Sequence, residues 1–240
     1  MKLSQELIEQ FLEIVKISKG LKKDIIVLKD DCLLGMDSNF ATLATLTYDS
    51  NKLDFFKQTG LEYTFFNTRI NTFLKNAQKG DIFLTQLENP IDIIGYALKQ
   101  AEEKEMLVVL NPAPANKDIK PFLKYVDILT PNEGECALLG GEEELLKEAK
   151  CLVVTLGDKG FKIIDKQINE TFPCMKIKPV DTTAAGDTFC GAMLAKYSKC
   201  GDFIASAKYG SLAASITCTR KGAQPSIPTK DEICELTNNL

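Results

Sequence analysis

From residue 81 onward the chain repeats one pattern, and that pattern limits its fold more than any other feature. Short, mostly apolar runs at 82–86, 106–110, 126–130 and 152–155 each close on polar residues, and helix-like segments at 90–103 and 132–139 lie between them. Runs that lack a polar residue at every second position belong to strands buried on both faces. Strand and helix in alternation then imply an α/β fold, with a parallel sheet between two helix layers. In such sheets ligands bind beyond the carboxyl ends of the strands. Those ends read Gln86-Leu87-Glu88, Asn111-Pro112-Ala113-Pro114-Ala115, Thr130-Pro131-Asn132-Glu133-Gly134-Glu135 and Thr155-Leu156-Gly157-Asp158-Lys159-Gly160. All of them fall on one edge.

The remaining segments fit around this core. Residues 161–165 and 171–177 read as an antiparallel pair, and 185–199 and 203–217 as helices. Upstream, 4–19 reads as a helix with Ser4 as N-cap, a Leu3/Ile8 staple and Gly20 as its stop. A short strand follows at 25–28. The Thr-, Leu-, Phe- and Tyr-rich segment 40–56, with a turn at Asp49-Ser50-Asn51, suggests a hairpin that can stand out as a flap. With no internal repeat, low-complexity tract or linker, residues 1–240 read as one domain with an appendage.

Composition removes whole classes of chemistry. The net charge is −4 and only Arg69 and Arg220 are arginines, with no basic stripe, so nucleic acid is not an expected partner. No apolar run approaches membrane-spanning length. The glutamate-containing amphipathic start reads as neither a signal nor a transit peptide. Eight cysteines are scattered without a Cys-x-x-Cys pair and there is no histidine. Zinc sites and Ser-His or Cys-His machinery are therefore not expected. The cysteines read as reduced, mostly buried small hydrophobes of a cytoplasmic protein. Any general base must be a carboxylate, lysine, tyrosine or cysteine.

Four stretches carry candidate chemistry. Val180-Asp181-Thr182-Thr183-Ala184-Ala185-Gly186-Asp187 is small and polar and leads into the apolar helix-period run Phe189, Ala192, Met193, Leu194. A loop-to-helix junction of this kind points free N–H groups outward along the helix dipole and suits a phosphate. Asp187 lies in the first turn, where it can meet a hydroxyl; the same pattern also describes an ordinary helix start. Asn132 and Glu135, three apart at a helix start, share a face and can serve a Mg²⁺ site, or Asn132 simply caps the helix, which is the commoner arrangement. The Thr155–Gly160 turn has glycines that let a phosphate or base approach, or that merely allow positive φ. Thr219-Arg220-Lys221-Gly222-Ala223-Gln224-Pro225-Ser226 reads as a loop after a helix, stiffened by Pro225 and Pro228.

Taken in order, these motifs resemble the phosphofructokinase-B, or ribokinase-like, family of sugar kinases, closely from about residue 80 to the end. The resemblance implies a three-layer αβα core with a reduced β-hairpin lid. It implies transfer of the γ-phosphoryl group of ATP to the 5-hydroxyl of D-ribose, with Mg²⁺ and with activation by K⁺. Asp187 matches the catalytic base, and Ala184, Ala185 and Gly186 match the anion hole. Asn132, Thr155, Leu156, Gly157, Asp158, Lys159, Gly160, Gly186 and Ser211 match nucleotide contacts, and Glu135 matches the residue associated with magnesium and phosphate. Glu88 and Asp187 match sugar contacts. Asp181, Thr183, Thr217, Arg220, Gly222 and Ser226 match the potassium-binding loops, whose carbonyls would enclose the ion together with Asp181. The family often forms homodimers through its lid sheets.

The sequence departs from the family at its start. Neither the Asn-x-Asp nor the Gly-Gly-Lys-Gly-x-Asn sugar motif occurs in residues 1–80, where glycine stands only at Gly20, Gly35, Gly60 and Gly80. The chain is thus expected to enter the family fold after the sugar-binding half. A shortened kinase with an altered pocket, a nucleotide-binding relative that does not turn over sugar, and a piece of a longer chain all fit this pattern.

Overall fold

The computed structural model describes residues 23–29, 32–37, 43–47, 70–71 and 74–237. Two compact units divide the chain, Met1–Phe66 and Asn67–Leu240. In the first, β1 (Lys23–Lys29), β2 (Cys32–Asp37) and β3 (Leu43–Thr47) form an antiparallel sheet in the order β1-β2-β3. Val27 pairs with Leu34 and Leu34 with Thr45. The expected strand at 25–28 is present and longer. Strand β2 was not foreseen, because Gly35 interrupts its apolar run and weakens the strand signal. Part of the expected hairpin is β3, which pairs with the upstream β2. The expected turn at Asp49-Ser50-Asn51, the second arm of that hairpin and the helix at 4–19 lie outside the described residues.

The second unit holds a six-stranded sheet in the order β4-β5-β6-β7-β8-β9. Strands β4 (Ile82–Thr85), β5 (Leu107–Leu110), β6 (Ile128–Leu129) and β7 (Cys151–Thr155) are parallel. Strands β8 (Phe161–Ile164) and β9 (Asn169–Phe172) continue the sheet antiparallel. The sheet is therefore mixed. The antiparallel pair expected from the sequence is its far edge, and its second strand ends at Phe172 rather than running on to 177. The helices are α1 (Ile91–Glu103), α2 (Glu133–Leu138), α3 (Glu142–Leu145), α4 (Ala185–Cys200), α5 (Phe203–Cys218) and α6 (Lys230–Thr237).

Period-two alternation along the strands sorts the core into two layers. Val108, Leu110, Leu129, Leu152, Val154 and Ile164 face one side, packed with Ile94 and Leu98 of α1 and with Ile119 and Leu123. Ile119 and Leu123 belong to the 3-10 segment Lys117–Tyr125. Val109, Ile128, Val153, Phe161 and Ile163 face the other side, against Phe189, Cys190, Met193 and Leu194 of α4 and Ala207 of α5. Covering both faces explains why the strands read as nearly unbroken apolar runs; each fully buried Leu, Val or Ile contributes about 1.5–3 kcal/mol. Strand β6 is shorter than the expected 126–130. Just before it, Asp127 accepts the Val108 amide through Oδ2 at 2.8 Å and the Lys150 ammonium through Oδ1 at 2.5 Å. The backbone stays paired there as well: the Asp127 amide donates to the Val108 carbonyl at 2.9 Å and its carbonyl accepts the Cys151 amide at 3.0 Å.

Helices α4 and α5 pack closely at Gly210. A Cβ built there would lie 2.7 Å from the Phe189 carbonyl oxygen and 3.0 Å from Met193 Cβ. Because the near atom is backbone, the helices would have to separate. Gly210→Ala should therefore lower stability by about 1–3 kcal/mol, as overpacked cores do. A urea midpoint equal to the parent's would contradict this packing.

Candidate active site

Helix α4 begins without a side-chain cap. Its N-cap, Ala184, has φ 63° and ψ 9°, the left-handed region that costs a residue with a Cβ about 1–2 kcal/mol. The Ala185 amide donates to the Thr182 carbonyl at 3.2 Å, and the first helical bond runs from the Thr188 amide to the Ala184 carbonyl at 2.9 Å. The Gly186 and Asp187 amides find no acceptor among the described residues. Uncapped donors at the positive end of a 16-residue helix are suited to an anion. Two buried polar contacts anchor the same helix: Thr130 Oγ1 lies 3.3 Å from Cys190 Sγ, and Thr217 Oγ1 donates to Thr188 Oγ1 at 3.3 Å. Burial pushes the Cys190 thiol up to about 11, so it stays neutral.

Asp181 holds the loop that feeds α4. Its Oδ1 accepts the Thr183 amide at 2.9 Å and the Thr183 hydroxyl at 2.7 Å. Its Oδ2 accepts the Gly222 amide at 2.9 Å, from the loop after α5. The Thr183 hydroxyl, then the Gly222 and Thr183 amides, hold the Asp181 carboxyl down at about 2. The Val180 amide adds a bond to the Cys218 carbonyl at 2.8 Å. The sequence-expected set Asp181, Thr183 and Gly222 is thus joined directly. Ser226 is fully buried and donates to the Ala223 carbonyl at 2.6 Å. The Arg220 side chain is turned to Glu232, with Nη2–Oε1 at 2.5 Å and Nη1–Oε2 at 3.4 Å. Arg220 can therefore offer a cation only its backbone carbonyl.

At the next strand end, Asn132 and Glu135 close a reciprocal capping box. Asn132 Oδ1 accepts the Glu135 amide and Glu135 Oε2 accepts the Asn132 amide, both at 2.8 Å. The capping arrangement considered from sequence is realised, and Glu135 keeps only Oε1 free. No group of three or more His, Cys, Asp or Glu fit to hold a metal occurs among the described residues. This donor set fits a Mg²⁺ that keeps its waters and rides on nucleotide phosphates, not a caged one. The Thr155–Gly160 turn adjoins this point: Asn132 bridges Thr155, and Lys159 pairs with Glu133 at 3.3 Å. Gly160, at φ 105° and ψ −128°, admits no side chain, since a Cβ would meet the Phe172 carbonyl oxygen at 2.0 Å. Ser211 is buried in α5, where its carbonyl accepts the Ser215 hydroxyl at 2.9 Å. Glu88 is exposed beyond β4. No hydrogen bond among the described residues links either of them to the rest of the set.

One contact escaped the sequence reading. Gln86, the residue after β4, donates through Nε2 to Asp187 Oδ1 at 2.5 Å across 101 residues of chain. Gln86 was visible as a strand end, but nothing in its spacing marks a partner so distant in sequence.

A mixed sheet whose parallel strands share one carboxyl edge, with an uncapped helix start and the Gln86-bonded Asp187 carboxylate at that edge, defines an α/β protein with a place suited to an anion. The chain belongs to the pfkB family of carbohydrate kinases, which residues 46–230 match. It is similar to a ribokinase of Staphylococcus aureus (36% identical over 64% of this chain and 55% of the relative). A ribokinase of Haemophilus influenzae is also 36% identical, over 65% of this chain and 56% of the relative. The chain therefore spans about half the length of the curated relatives it matches. Among solved structures, ribokinase from Thermotoga maritima aligns with TM-score 0.62 at 30% identity, over 86% of this chain and 68% of that one. Ribokinase from Arabidopsis thaliana, solved with ribose and ATP, aligns with TM-score 0.57 at 26% identity, over 65% of this chain and 55% of that one.

The Arg220–Glu232 pair carries a pH signature. Arg220 first, then the Thr229 amide, holds the Glu232 carboxyl at about 2. A folded-state value below the unfolded one, about 4.3 for Glu, gives stability that is complete above that unfolded value. It is lost as pH falls toward about 2. Glu232→Gln should therefore lower Tm at neutral pH, with the gap to the parent closing below about pH 4. A gap that is constant from pH 6 to about pH 3 would refute the assignment.

Proposed function

We propose that this chain carries out ATP-dependent phosphorylation of a ribose-like sugar at its 5-hydroxyl. The observation that carries the reading is the uncapped start of α4, where the free Gly186 and Asp187 amides adjoin the exposed Asp187 carboxylate. The carboxylate takes the hydroxyl proton as the sugar oxygen forms its bond to the γ-phosphorus. The bond from that phosphorus to the β–γ bridging oxygen breaks, and ADP leaves with the electron pair. The Gly186 amide and its neighbours stabilise the charge on the transferring oxygens, because phosphoryl transfer depends mainly on positioning and electrostatics. A Mg²⁺ bound to the nucleotide would supply charge neutralisation on the phosphates, with Glu135 Oε1 available to its water shell. The turn at 155–160, with Asn132 and Ser211, takes the nucleotide, and Glu88 takes the sugar. Asp181, Thr183 and Thr217, with the Arg220, Gly222 and Ser226 segment, form the K⁺ loops of this reading. Asp181 supports it by joining both loops, with each of its carboxylate oxygens already accepting at least one hydrogen bond. None of the seven cysteines with described side chains forms a disulfide, which favours a reducing compartment such as the cytoplasm. No described helix is long and apolar enough to cross a membrane.

The test is ribose-dependent release of ADP. The parent chain should turn over with ATP, Mg²⁺ and ribose, and Asp187→Asn should lower kcat by about 10²–10⁴. Calorimetry should show nucleotide binding retained in the variant. Nucleotide binding without turnover in the parent would instead make the chain a binding relative and reject the kinase reading.

A further inference from the structure

Two helices at the carboxyl edge start in the same register, and their third-position carboxylates behave oppositely. At α2 the sequence runs Asn132-Glu133-Gly134-Glu135, from N-cap to third residue. There Glu135 turns back on its own helix and accepts the Asn132 amide at 2.8 Å. At α4 the corresponding residues are Ala184-Ala185-Gly186-Asp187. Asp187 also follows three residues after the N-cap, and its helix start has unsatisfied amides and no side-chain cap. A carboxylate in that position is attracted by the dipole and by the free donors, and Glu135 shows the return onto the helix start that such a group can make. No such return forms at α4. Asp187 instead reaches the Gln86 amide group at 2.5 Å.

We infer that Gln86 is a positioning residue, which holds the Asp187 carboxylate away from its own helix start. This keeps the carboxylate at the strand end and leaves the α4 amides open to an anion. Gln86 suits the task because its amide nitrogen donates without bringing a charge that would compete for the same anion. The bond occupies Oδ1 and leaves Oδ2 available to a substrate hydroxyl. Without Gln86, the Asp187 carboxylate returns to the amides, where its negative charge opposes a phosphoryl group. No other side chain among the described residues hydrogen-bonds Asp187. The role in turnover rests on the kinase reading, whereas the carboxylate orientation does not.

The experiment has two arms on the full chain. Amide NMR compares the parent with Gln86→Met, which keeps length and volume but lacks the donor. The resonances of Ala184, Ala185, Gly186 and Asp187 should move in Gln86→Met relative to the parent, and the same Gln86→Met change should move them much less when the double variant is compared with Asp187→Asn. Unmoved resonances, or movement that persists in the double variant relative to Asp187→Asn, would overturn the inference. In the kinetic arm, with ATP and ribose, Gln86→Met should lower kcat roughly ten- to hundredfold, the scale of one hydrogen bond to a charged group. The KM for ATP should stay within about twofold and Tm within about 2 °C. A kcat equal to the parent's in Gln86→Met would overturn the positioning role. If the resonances move as expected while the parent shows no turnover, the orientation by Gln86 stands and the kinase reading fails.

Discussion

The structure depends first on burial of the central strands from both sides. Val109, Val153 and Ile163 lie under α4 and α5, while Val108, Leu110, Leu152 and Val154 lie under α1 and the 3-10 segment. With both faces closed, loops that carry polar groups can emerge only at the strand ends. Four parallel strands direct the chain ends of β4, β5, β6 and β7 to the same edge. The site therefore follows from the sheet. Gln86, Asn132 and Thr155 each stand just past a strand or at its last residue, so residues far apart in sequence meet there without long loops.

Helix α4 has competing requirements at that edge. A stable helix wants its first amides satisfied, and an anion site wants them free. Here the cost is met from outside the helix. Asp181 binds the preceding loop, Thr188 and Cys190 hold the first turns to Thr217 and Thr130, and Gly210 lets α5 approach the Phe189 carbonyl. The left-handed Ala184 is tolerated within this frame, with a side chain too small to cover the amides. Helix α2 resolves the same competition in favour of its cap, which leaves Glu135 one carboxylate oxygen, whereas Asp187 gives Oδ1 to Gln86 and retains Oδ2.

Much of this was legible in the sequence. Unbroken apolar runs located β4, β5 and β7, and helical periodicity placed α1, α4 and α5 within one or two residues. The small-polar run before Phe189 identified the exposed helix start. What the sequence hid was long-range or side-chain-mediated. The Gln86–Asp187 bond spans 101 residues and leaves no periodic trace. Asp127 binds the Val108 amide and the Lys150 ammonium through its side chain, partners that lie 19 and 23 residues away and leave no local pattern. Strand β2 was obscured by Gly35, and the joining of β8 and β9 to the main sheet depends on hydrogen bonds that local patterning does not specify.

The tether from Asp181 to Gly222 has a consequence for the order in which parts of the molecule become rigid. Two loops that leave different helices are fixed to one carboxylate, with Thr183 bound to the same group. Their conformational freedom is lost on folding and not at the moment a ligand arrives. An anion bound at α4 as proposed would meet a frame that needs little further ordering, and less of its binding free energy would go into reorganisation. The exposed edge of this protein is accordingly a region whose shape precedes its occupant.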